Sequence, residues 1–215
     1  MLGVVPAFNA VESGQAPPLS AGQKFDLWFH SSVDPFTFAV AGIDAGIEQA
    51  QDEYPEYNQG FVGFAKRYGA SYADSVDGNF WGNAVLPSLL HQDPRYFRLG
   101  HGSLKRRLWY AAISTVRCKG DDGNWQPNIS NVAGNLIGGA ISNAYYPASD
   151  RGVGLTLARG FTVTAEGAFG SLALEFYPDA IAYLKRKHHP NVGPMVPASP
   201  AAAAGPSQNP QATVQ

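Results

Sequence analysis

Residues 128–146 read NISNVAGNLIGGAISNAYY, and small side chains return at every fourth position: Ser130, Gly134, Gly138 and Ser142. On a helix that spacing forms one row, along which a neighbouring backbone can approach closely. The next row round, Asn131, Asn135, Gly139 and Asn143, supplies amides able to hydrogen-bond across the same contact. The row is expected to face small side chains of another helix, at Gly42 and Gly46 or at Gly167 and Gly170.

The rest of the chain divides by the same kind of pattern. Ser20 is an N-cap candidate ahead of a short helix at 24–32 that carries Phe25, Trp28 and Phe29. Asp34-Pro35, a capping residue followed by proline at the first helical position, starts a helix expected to run to about residue 51, before Tyr54-Pro55-Glu56-Tyr57 forces a turn. From 59 to 88 the positions Phe61, Phe64, Tyr68, Ser71, Ser75, Gly78, Gly82 and Val85 alternate steps of three and four, the seam of a buried helix. Asp77-Gly78-Asn79 is a point where it can kink, and Pro87 and Asp93-Pro94 are expected to end it. Ser103 caps a helix expected to reach residue 117, followed by a solvent loop at 119–123. Residues 152–176 fit two periods. Val153, Leu155, Leu157, Phe161 and Val163 alternate as in a strand, whereas Leu155, Ala158, Thr162, Ala165, Phe169, Leu172 and Phe176 keep a helical seam throughout. A strand of some two dozen residues is rare, so length decides for helix. Tyr177-Pro178-Asp179 is then expected to cap a separate last helix, to about residue 187.

These elements predict an all-α fold, a single bundle of about six or seven helices with glycine-lined contacts at 19–189. An extended arm (1–18) precedes it and a disordered Pro-, Ala-, Ser- and Gln-rich tail (190–215) follows. The 215 residues suit one domain, and 45% hydrophobic residues suffice for a core. A formal net charge of −2 and the absence of any recognition motif argue against nucleic acid as a partner. The single cysteine, Cys118, excludes an internal disulfide and a cysteine-rich zinc site. The first eight residues, MLGVVPAF, lack a basic segment and are interrupted by Pro6, so they are not expected to be a signal peptide in themselves. No span reaches the roughly 18 consecutive apolar residues of a transmembrane helix.

Candidate chemistry concentrates at 91–101, HQDPRYFRLGH. His91, Asp93 and His101 could serve acid–base or metal chemistry, but their spacing matches no ligand motif and Arg95 and Arg98 would oppose a cation. Arg95, Arg98, Lys105, Arg106 and Arg107 beside Trp109 make a basic and aromatic patch suited to an anion or to anionic lipid at a membrane–water interface. Three cations at a helix N-terminus oppose the macrodipole, which calls for a local anionic partner. Arg159 and Glu166, seven apart on one face, are expected to take part in a buried ion pair to another helix. Phosphate loops, nucleophile elbows, zincin helices and dinucleotide fingerprints are absent, and no cofactor or metal is expected.

The segments LGVVPAF at 2–8, YPEY at 54–57, KRY at 66–68, PSLLHQDPRY at 87–96 and SNAYYP at 142–147 together resemble an uncharacterised family of predicted exported bacterial envelope proteins. The likeness spans roughly residues 2–180, with a departure at Ala7-Phe8-Asn9. It implies an exported protein at the cell envelope and brings no known activity. The chain is therefore expected to be a non-enzymatic structural or binding component, contacting anionic lipid or another envelope component. The alternative is a hydrolase or lipid-headgroup enzyme using the 91–101 loop.

Overall fold

A computed structural model describes residues 10–11 and 16–188. The tail expected at 190–215 and most of the arm lie outside the described residues. The chain divides into two compact units at Pro178 and Asp179.

The first unit is a helical bundle. Helix α1 (Ala21–Ser32) begins at a capping box in which Ser20 Oγ accepts from Gln23 N while the Gln23 side chain accepts from Ser20 N. Helix α2 (Pro35–Ala50) starts on Asp34, whose carboxylate accepts from Phe36 N. A 3₁₀ turn at Pro55–Tyr57 leads to α3 (Gly60–Asn79), which passes through a π-helical turn at Phe80–Val85 into α4 (Leu86–Leu90). Pro87 thus lies inside a continuous helical run, just after the π turn, rather than ending it. Helix α5 (Leu104–Ile113) is capped by Ser103, α6 (Ile129–Ser142) by Asn128, and α7 runs from Val153 to His188.

Two further expectations about element boundaries are corrected. The α5 helix stops at Ile113, and Arg117–Gly120 forms strand β4, paired antiparallel with β2 (Gln92–Asp93) on one side and β5 (Trp125–Pro127) on the other. Strand β1 (Ala10–Val11) pairs in parallel with β3 (Tyr96–Phe97). Second, Pro178 lies inside α7 instead of opening a separate helix. A proline removes one hydrogen bond from a helix and only biases against continuation.

The small-residue row of α6 faces α3 and its π turn, at Gly78 and Gly82, not the glycines expected. A Cβ on Gly134 would sit 2.4 Å from Gly82 N, and one on Gly138 would sit 3.1 Å from Gly78 Cα. Gly139, one row round, lies against α7, where a Cβ would come 2.4 Å from Thr156 O. Helix α3 is thus clasped between α2 and α6, with Phe38 stacked on Tyr72 at 4.9 Å.

Apolar burial is modest: the core cluster is Ala70, Tyr146 and Leu155, with Tyr54, Tyr57 and Tyr145 packed on it. Many of the largest buried side chains are polar, among them Arg67, Lys24, Gln92 and Glu175. Arg67 donates to Glu53 O, Tyr54 O, Asn58 O and Gln49 Oε1, clamping a loop in which Asp52, Tyr54 and Asn58 have positive φ. The second unit is described from Asp179 to His188 as the end of α7, with Tyr183 and Leu184 exposed.

Candidate functional site

The 91–101 loop does not converge. His91 ends α4 in the left-handed conformation, and its ring is 84% exposed, 3.8 Å from Asp121. Asp93 is 3% exposed and held by Arg95, which donates Nε to Oδ1 at 2.9 Å and Nη2 to Oδ2 at 2.6 Å. His101 is exposed in the turn before α5. The three side chains expected to act together therefore point to three environments, and among the described residues no group of three or more His, Cys, Asp or Glu could hold a metal ion. The neighbouring Gln92 is structural. It donates to Pro127 O and accepts from Ser130 N, tying the β-ribbon to the first turn of α6.

The basic patch separates into two sets. Arg98 and Arg107 turn inward to Glu175 on α7, a carboxylate with no exposed surface. Its Oε1 accepts from Arg107 Nε at 2.7 Å and Gly100 N at 2.9 Å, and its Oε2 from Tyr96 Oη at 2.7 Å and Leu99 N at 3.0 Å. Burial acts to raise the pKa of Glu175, but the bonds from Arg107, Tyr96 and the two backbone N–H groups outweigh it and hold it below the ordinary value. Glu175 is thus an anionic partner for Arg107, one of the three N-terminal cations of α5. Lys105 and Arg106 remain exposed and make no ion pair among the described residues. Trp109, 70% exposed, stands beside Lys105, and with Leu108, Ala112 and Leu172 they outline an apolar depression of about 370 Å³.

The interior holds a second network. Asp74 on α3 accepts from Ser142 Oγ, from Tyr145 Oη at 2.5 Å, from Tyr146 Oη at 2.8 Å and from Arg159 Nε at 2.7 Å. Arg159 on α7 also donates Nη1 to Glu48 Oε1 on α2 at 3.0 Å, so it makes the interhelical pairs expected of it. The other oxygen of Glu48 is buried without a partner, and burial, only partly offset by Arg159, pushes Glu48 up to about 7.

Beside this network a cavity of about 550 Å³ opens between α2 and α7, floored by α3 and α6. Asp44 from α2 and Glu166 from α7 meet in it within hydrogen-bonding reach. Burial and the Asp44 carboxylate push Glu166 up to about 8, so the pair shares one proton at neutral pH. Phe36, Val40, Ile43, Phe169 and Leu174 supply apolar walls.

Glu175, Asp44, Glu48 and the central place of Asp74 escape a motif search because they belong to no motif. The available signal is a lone acid inside an otherwise apolar helical run, as in LALEFY at 172–177. Comparison of the chain with protein-family models, with curated proteins and with solved structures returns no match.

Proposed function

We propose that this chain is a non-enzymatic cell-envelope binding protein that docks on a membrane surface through the start of α5, where Lys105 and Arg106 meet anionic headgroups and Leu104, Leu108 and Trp109 enter the interface. The observation that carries it is the sorting of the basic patch: Arg95, Arg98 and Arg107 are engaged by protein oxygens, whereas Lys105 and Arg106 stay exposed beside an exposed tryptophan. An exposed indole flanked by cations has the chemistry of the headgroup region, amphipathic and anion-seeking.

A wider distribution supports the reading. Lys24, Glu48, Arg67, Asp74, Arg159 and Glu175 are buried, while Phe61, Leu89, Leu104, Phe161 and Phe169 are exposed. Single exposed apolar side chains are ordinary, but here they accompany a charged interior, as in a protein with an apolar neighbour. No described helix is long and apolar enough to cross a membrane, so the contact proposed is at the surface.

Cosedimentation with vesicles tests it. Phosphatidylglycerol vesicles should retain the protein and phosphatidylcholine vesicles should not, with binding falling as salt rises. The double substitution Lys105→Gln/Arg106→Gln should weaken binding by about 2 kcal/mol, at about 1 kcal/mol per cation. Equal binding to both vesicle types, or no effect of the double substitution, would remove the proposal. Fractionation of cells expressing the full-length gene tests the location, and recovery in the cytosol would contradict it.

A further inference from the structure

We propose that the cavity between α2 and α7 binds a primary ammonium group carried on an apolar body, with Asp44 and Glu166 as its carboxylate partners. The cavity, at about 550 Å³, falls within the usual range for small-molecule sites, roughly 300–1,000 Å³. Its two carboxylates bear on the ligand's charge, and the donors of Asn131 and Asn135 in the same lining are already spent. Asn131 donates its NH₂ to Thr115 O, and Asn135 donates to Thr164 Oγ1, whose own proton goes to Gly160 O. Both partners can only accept, which fixes the amides with their carbonyl ends left over. Neither carbonyl oxygen accepts a hydrogen bond from a described residue.

Ser75 provides an independent sign. It is more than nine-tenths buried, lines the cavity, and its hydroxyl has no hydrogen-bond partner among the described residues. Buried polar groups normally have partners, so an unpartnered hydroxyl in a cavity marks a place for a ligand or for water. Asp44 and Glu166 contribute only the proton they share. A ligand bringing N–H donors and one positive charge satisfies the two acids, while an anion meets them as like charges. Phe36, Val40 and Phe169 give the apolar body a wall.

The other charges around the pair do not supply that cation. Arg159 faces it from the interior but is held by Asp74 and Glu48. Asp93 and Arg95, which also line the cavity, neutralise each other, and Arg117 is stacked on the Trp125 ring at 4.4 Å. An arriving ammonium replaces the shared proton as the positive charge between the carboxylates. Since Glu166 keeps its proton to about pH 8, binding at neutral pH releases that proton. An alkylammonium stays charged to about pH 10, so affinity strengthens by up to about tenfold per unit as pH rises toward 8 and then levels.

Titration calorimetry of the full chain with octylamine, octanol and octanoate tests the assignment. Octylamine should bind roughly tenfold or more tightly than octanol, with octanoate weaker still. Its heat should differ between phosphate and Tris at the same pH, reporting the released proton. Glu166→Gln and Asp44→Asn should each weaken octylamine by about tenfold or more, and Glu166→Gln should abolish the buffer dependence. Dihexanoyl phosphatidylethanolamine and phosphatidylcholine at submicellar concentration distinguish the source. Competition with octylamine by the ethanolamine lipid alone assigns the ammonium to an aminolipid headgroup, and competition by neither assigns it to a free amine. Octanol binding as tightly as octylamine, or octylamine binding without proton release in the wild-type chain, would overturn the proposal even if a variant failed to fold.

Discussion

At Asp74 one carboxylate joins three separate parts of the chain: Ser142 at the end of α6, the Tyr145-Tyr146 turn, and Arg159 on α7. Burying a carboxylate and a guanidinium removes both from water, and only dense hydrogen bonding makes that tolerable. The hydroxyls supply that density, and Arg159 rests over the Tyr146 ring at 5.0 Å. Removing one partner leaves the rest stranded. Asp74→Ala should therefore destabilise the fold by about 3–5 kcal/mol in urea unfolding, because Arg159 keeps only Glu48 and the hydroxyls of Tyr145 and Tyr146 lose their carboxylate acceptor. The double variant Asp74→Ala/Arg159→Met should lose clearly less than the sum of the two single losses, since neither Asp74 nor Arg159 is left without the other and Glu48, already raised to about 7, takes up a proton. Additive losses would show that the two groups do not act as a unit.

Helix packing depends on places where backbone meets backbone. A Cβ at Gly134 would meet Gly82 N at 2.4 Å and Trp81 C at 2.9 Å, atoms that no side-chain rotation can move away. Gly134→Ala should cost about 1–3 kcal/mol or more through overpacking. Gly170→Ala, with nothing within 4 Å of the added carbon, should be neutral or stabilise by up to about 1 kcal/mol. Thermal unfolding of the two variants compares them directly, and equal midpoints would contradict the packing described. The periodicity of 128–146 made a helix with a close contact legible, but not its partner, because several glycine rows in the chain have the right spacing and sequence carries no distances. Caps at Ser20, Asp34 and Ser103 marked three helix starts, since each provides an acceptor for a first-turn N–H. The ribbon at 117–127 was missed although Asp122-Gly123 is a turn signal, because its strands are only four and three residues long. At the candidate sites the loop residues were legible as chemistry, and their partners were not. Glu175 lies 77 residues from Arg98, a pairing that only the fold creates.

Across the whole molecule, acids buried in unlike surroundings set how stability responds to pH. Glu48 is raised to about 7 and Glu166 to about 8, against an unfolded value near 4.3. Both hold protons in the folded state that the unfolded chain has released. Their favourable contribution is complete below the unfolded value and disappears as pH rises through 7 and 8. Glu175 is shifted the other way. Its contribution is present above the ordinary glutamate value and is lost as pH falls through its lowered folded value. Opposite slopes leave a maximum on the acid side of neutrality, near pH 5. Urea midpoints measured from pH 4 to 9 should peak there, with a decline of roughly 2 kcal/mol or more between pH 5.5 and 8.5. Glu48→Gln and Glu166→Gln should each flatten the alkaline limb, because an amide keeps the shape without the proton that wild type must give up. The Glu48 variant decides most, since its unpartnered oxygen lies in the Asp74–Arg159 network and Glu48 does not line the cavity of Asp44 and Glu166. A limb unchanged by Glu48→Gln but flattened by Glu166→Gln would place the whole pH response in the cavity. The converse would place it in the ion-pair network.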